Sequence, residues 1–114
     1  WVNHGRYRYI VNLTPEATFQ NVETKSPLFK EWKSLAETDS HAKAMTTKYQ
    51  HRPAIELYDV KNDPYCMKNL AEDANQASTI SRLDKELKRW MKDCGDEGQP
   101  TEMRAFEHMP GKRK

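Results

Sequence analysis

The chain has 114 residues, of which 36% are hydrophobic and 32% charged, with a net charge of +2 and a mean hydropathy of -1.05. A chain of this length builds one modest core, burying roughly two-thirds of the surface its unfolded form exposes, and no window approaches the roughly 20 apolar residues of a membrane span. The charge is too small to argue for a nucleic-acid partner, and two cysteines, Cys66 and Cys94, are too few for a disulfide framework.

The chain opens on Trp1, without an initiator Met or a basic and apolar leader, which reads as a processed chain or one cut from something longer. Arg6 to Leu13 is expected as the first strand, with Tyr7, Tyr9 and Val11 on one face and Arg6, Arg8 and Ile10 on the other. Ile10 breaks the polarity of the second face, so both sides of the strand meet something. Thr14 to Lys25 reads as a loop with a short strand around Thr18 to Val22. Ser26-Pro27 then starts a helix, Ser26 as N-cap and Pro27 at the first helical position, with Leu28, Trp32, Leu35 and Ala36 as its apolar stripe.

Asp39-Ser40 begins a second helix, whose Ala42, Met45 and Tyr49 share a face and which ends before Arg52-Pro53. Ile55 to Val60 is the second strand, followed by turn chemistry in Lys61-Asn62-Asp63-Pro64. Asp73 with Gln76 resembles a capping box for a long helix running to Cys94. Its buried face is expected to carry Ile80, Leu83, Leu87, Trp90, Met91 and Cys94, and its wet face Arg82, Lys85, Lys88 and Arg89, with Gly95 as C-terminal cap. Two unpaired, half-buried thiols are expected, although Cys66 and Cys94 can pair if this helix folds back over the connector.

These elements make an α+β domain over residues 1–98. A small antiparallel sheet of about four strands packs against the long amphipathic helix, with one or two short helices inserted between strands. Residues 99–114 are expected as an extended, partly disordered basic tail that donates an edge strand at Met103 to Phe106.

The chemistry of an enzyme is missing from the pattern. His4, His41, His51 and His108 stand in no metal spacing, C-x-x-C and H-E-x-x-H are absent, and the four glycines form no phosphate loop. Asp84 with Glu86, and Asp96 with Glu97, sit in charged runs that read as solvated faces. No catalytic and no metal-binding residue is assigned. Asn12-Leu13-Thr14 is formally a glycosylation sequon. Basic and aromatic residues do interleave in Asn3-His4-Gly5-Arg6-Tyr7-Arg8-Tyr9, where Arg6 and Arg8 either face a sulfated or phosphorylated ligand or form a solvent-facing row.

Five pieces in one order carry a further signal. They are Arg6-Tyr7-Arg8-Tyr9-Ile10-Val11-Asn12-Leu13, Arg52-Pro53, Glu56-Leu57-Tyr58-Asp59, Asn62-Asp63-Pro64-Tyr65, and Asn69-Leu70-Ala71 ahead of the Trp90-bearing helix. The set resembles the C-terminal subdomain of type I sulfatases, with closest likeness to the heparan N-sulfatase (N-sulfoglucosamine sulfohydrolase) branch, over most of residues 6–96. That resemblance implies a four-stranded antiparallel sheet with a long helix packed on it, attached to a larger N-terminal catalytic domain. It also implies a formylglycine made from a C-x-P/A-x-R motif and a bound calcium ion, both in that other domain. Neither Cys66-Met67-Lys68-Asn69-Leu70 nor Cys94-Gly95-Asp96-Glu97-Gly98 fits the motif.

The function implied is that of a non-catalytic subdomain, inactive alone, of a parent that hydrolyses sulfate esters or sulfamates on glycans in a periplasmic, secreted or lysosomal setting. Its partners would be the catalytic domain of the same polypeptide and a sulfated glycan, with no nucleic acid and no membrane. His4, Arg6, Arg8, His51 and Arg52 are the candidate substrate contacts. The domain surface left exposed would favour self-association. The alternative is a stand-alone structural or interaction module able to bind sulfated polyanions; a third reading is a polyanion-binding domain that acts through the tail, residues 110–114.

Overall fold

In the computed structural model, which describes residues 1–108, the Gly5-Arg6 turn sets the first hairpin. Gly5 has a φ of +58°, the left-handed value that a two-residue hairpin loop with glycine at its first central position requires. The turn pairs β1 (Val2–His4) antiparallel with β2 (Tyr7–Val11), in the register Val2 with Tyr9 and His4 with Tyr7. β1 was not expected from the sequence. Three residues with one apolar side chain carry too little alternation to read as a strand.

β3 (Ile55–Asp59) lies antiparallel on the other side of β2, with Tyr9 opposite Leu57 and Tyr7 opposite Asp59. The result is a three-stranded antiparallel sheet of order β1-β2-β3, one strand fewer than expected. Where a fourth strand would pair with β3, the connector does the work through a side chain. Asn69 Oδ1 accepts from the Leu57 amide at 2.9 Å, Asn69 Nδ2 donates to the Ile55 carbonyl at 3.2 Å, and the Leu70 amide donates to the Leu57 carbonyl at 2.8 Å. The outer amide and carbonyl of Leu57 and the outer carbonyl of Ile55 are thus satisfied without a strand.

Two units form: Trp1–Leu13 with the chain from Ile55 onward, and Thr14–Ala54. In the first unit, a 3-10 turn at Ala74–Gln76 leads into the long helix Ala77–Cys94. Asp73 caps that turn by accepting from the Asn75 amide at 2.9 Å. Gly95, with a φ of +69°, ends the helix in the left-handed conformation expected of it. Tyr9, Leu57, Leu83 and Leu87 form the core, with Val2, Tyr7, Val11, Leu70, Ile80 and Met91 packed around it.

The long helix does not bury all of its expected face: Trp90 is 58% exposed and Cys94 is also exposed. Its 18 residues rise about 27 Å whereas a five-residue strand spans about 17 Å, so the last turns outrun the sheet. Cys94 and the half-buried Cys66 are not joined in a disulfide. The opposite sheet face is also covered: Glu56 and Tyr58 are buried there, Asn12 Nδ2 donates to Glu56 Oε1 at 2.8 Å, and the Tyr58 hydroxyl donates to Glu56 Oε2. The sequon asparagine therefore has its amide engaged.

In the second unit, the sequence places α1 (Pro27–Leu35) and α2 (Ser40–Gln50) between β2 and β3. Ser26 Oγ accepts from the Phe29 amide and Asp39 Oδ1 from the Ala42 amide, so both starts follow the capping chemistry. No strand forms at Thr18 to Val22. The Asn21 and Thr24 side chains bond each other's backbone amides at 3.0 and 2.9 Å, which favours the 3-10 turn Glu23–Lys25 over a ladder. The expected stripe of α1 is only partly covered, since Leu28, Trp32 and Leu35 are 56%, 51% and 53% exposed. Phe29 is the buried residue instead, its ring 5.5 Å from that of Tyr49 on α2.

The stretch read as an extended tail is helical as far as it is described. Pro100 opens a short helix, Gln99–Met103, and Ala105–His108 is a 3-10 turn, so the edge strand at Met103 to Phe106 does not form. The expected disordered end falls on residues 109–114, outside the described residues.

Candidate functional site

Alternation along the hairpin sends the three candidate residues of the first unit to different surroundings. Arg6, in the turn, is committed to Asp59: its Nε donates to Asp59 Oδ2 at 2.8 Å and its Nη2 donates to the same oxygen. Asn62 Nδ2 adds a third donor to that oxygen at 2.8 Å. The Arg6 hydrogen bond holds the Asp59 carboxyl down to about 2, against the upward push of burial, and Asp59 in turn raises the Arg6 guanidinium above its ordinary value. The guanidinium also lies 5.4 Å from the Tyr7 ring centroid.

Arg8 points to the sheet face that carries Tyr58. Its Nε donates to Asn3 Oδ1 at 3.1 Å, its Nη1 lies 3.5 Å from Cys66 Sγ, and its guanidinium is 6.0 Å from the exposed Trp1 ring. Cys66 has a φ of +54°, a backbone position rare for a residue with a side chain. His51 and Arg52 belong to the second unit, both exposed, with the His51 amide closing α2 on the Thr47 carbonyl at 2.8 Å.

His4 opens onto a cleft. It shares the sheet face covered by the long helix, and its Nδ1 lies 3.4 Å from Glu86 Oε2. Together with Ser78, Ser81, Arg82, Lys85 and Arg89, this pair lines an open depression of about 680 Å³. Arg82, Lys85 and Arg89 sit at i, i+3 and i+7 and therefore share one helical stripe. The sequence marked them only as solvated. Their common stripe was legible, but the strand that walls it was not.

The neighbouring positions behave differently. Lys88 Nζ binds Asp84 Oδ2 at 2.6 Å, and Asp84 Oδ1 accepts from the Tyr9 hydroxyl at 3.2 Å. Burial first, then Asp84, pushes the Tyr9 hydroxyl up to about 12. Lys88 is thus paired on the helix surface, outside the lining of the cleft.

Among the described residues no group of three His, Cys, Asp or Glu side chains could hold a metal ion, and neither cysteine lies in a C-x-P/A-x-R sequence.

Against known proteins, 105 residues, 89% of this chain, align at 31% identity with an ulvan-active sulfatase of Formosa agariphila. A second ulvan-active sulfatase from the same organism aligns over 95 residues, 83% of the chain, at 32% identity. The chain is related to sulfatases. It spans only 18% and 17% of the length of these two relatives. No protein-family model matches it.

Proposed function

We propose that the chain is a non-catalytic subdomain of a sulfatase that removes sulfate esters from a glycan. The similarity to two ulvan-active sulfatases over 89% and 83% of the chain carries this reading. The name both relatives carry, ulvan-active sulfatase, supports a sulfated glycan as the parent's substrate, with sulfate esters read ahead of the sulfamates that the heparan N-sulfatase likeness suggests. In this reading the nucleophile, its metal ion and the acid and base groups come from the remainder of the polypeptide. The present residues supply a rigid sheet and helix beside it. Leu28, Trp32 and Leu35, each about half exposed on α1, offer that catalytic domain an apolar face.

The test is direct. The uninterrupted reading frame that contains this chain should encode a C-x-P/A-x-R motif, and the polypeptide expressed from it should release sulfate from ulvan oligosaccharides. The 114-residue chain alone should release none. A frame without the motif would favour the stand-alone module, and sulfate release by the isolated chain would overturn the non-catalytic role.

A further inference from the structure

We infer that the cleft between β1 and the helix Ala77–Cys94 binds the sulfate groups of a polysaccharide chain, held by Arg82, Lys85 and Arg89; this rests on the reading of a glycan-directed sulfatase. These cations have no carboxylate within ion-pair distance among the described residues, whereas Arg6 is matched by Asp59 and Lys88 by Asp84. Glu86 is the one carboxylate of the cleft, and it lies against His4. Like charges one helical turn apart repel, and a bound anion relieves that repulsion.

The spacing fits a chain of anions better than a single ion. From Arg82 to Arg89 the helix rises about 10 Å, so the two guanidinium groups engage separate sulfates, each matching the forked donors to sulfate oxygens. Ser78 and Ser81 lie on the same wall and add neutral hydroxyl donors. The depression is open and some 680 Å³ in volume, which suits a polymer lying across it. Single-stranded nucleic acid is less well served. Its bases need aromatic platforms, and the cleft has no Phe, Tyr or Trp in its lining.

Binding of a sulfated ulvan oligosaccharide to the isotope-labelled 114-residue chain tests this, with the desulfated oligosaccharide and inorganic sulfate as comparisons. Amide shifts should concentrate at His4 and from Ser78 to Arg89, and the desulfated sugar should cause none. The triple variant Arg82→Gln, Lys85→Gln, Arg89→Gln should weaken binding by about tenfold or more, since charge-assisted hydrogen bonds are lost. A charge-matched variant on the second unit, Lys30→Gln, Lys33→Gln, Lys43→Gln, should bind as the wild type does. Matching far-ultraviolet circular dichroism and melting temperature will show that the exposed substitutions leave the fold intact.

Equal loss in both variants, shifts elsewhere, or equally tight binding of an oligonucleotide of the same charge would each overturn the assignment. So would retained affinity in the triple variant combined with loss on deleting residues 110–114. No binding, with the C-x-P/A-x-R motif present in the reading frame, removes the cleft and leaves the sulfatase reading standing. Cleft binding without that motif does the reverse.

Discussion

Asp59 fixes the hairpin turn, because one carboxylate oxygen collects two donors from Arg6 and one from Asn62. Its carboxyl falls from an ordinary 3.8 to about 2. Between these values the folded chain binds fewer protons than the unfolded chain, so the stabilisation is complete above about pH 4 and lost as pH falls through about 2. Asp59→Asn should lower the melting temperature at neutral pH and flatten its decline in that acid window, as followed by circular dichroism. An acid limb identical to that of the wild type would contradict the role given to the pair. Sequence pattern alone made Arg6 a candidate for an external anion, since its partner stands 53 residues away and no local rule reaches that far. Arg8 raises the same difficulty: strand alternation gave its face, but not its neighbours Asn3 and Cys66.

At the scale of elements, the long helix depends on two leucines. Leu83 is fully buried, and Leu83→Ala should cost about 2–5 kcal/mol in urea unfolding. Trp90, on the overhang at 58% exposure, should cost less than about 1 kcal/mol when replaced by Ala. Equal losses at the two sites would mean that the overhang is packed after all. What the sequence showed here follows the range of the interactions. Ser26, Asp39 and Gly95 act on amides or carbonyls within a few residues, and their caps were readable. A stripe such as Leu28, Trp32 and Leu35 establishes that a helix is amphipathic, whereas its covering depends on the neighbours. Phe29 was missed because its partner Tyr49 sits on another helix. The cleft was half legible for the same reason, its cations visible in the helix and His4 brought to them only by the hairpin.

Across the whole molecule, a small net charge of +2 hides a local imbalance. The Arg6–Asp59 pair holds the turn and the Tyr9–Asp84 hydrogen bond ties the helix to the sheet, while Arg82, Lys85 and Arg89 gather in one depression. The units also differ in what they bury: the sheet unit has a contiguous apolar core, while Phe29 and Thr46 are the buried residues described between Thr14 and Ala54. The Asn69 side chain bonded along β3 has a consequence beyond this chain's own stability. An uncovered sheet edge is a template for another copy, and here an amide fills the places that a second molecule's backbone would take. Asn69→Ala should therefore convert a folding lesion into a solubility lesion, with concentration-dependent, thioflavin-positive assembly under conditions where the wild type stays dispersed. One side chain would then stand between a folded domain and a growing intermolecular sheet.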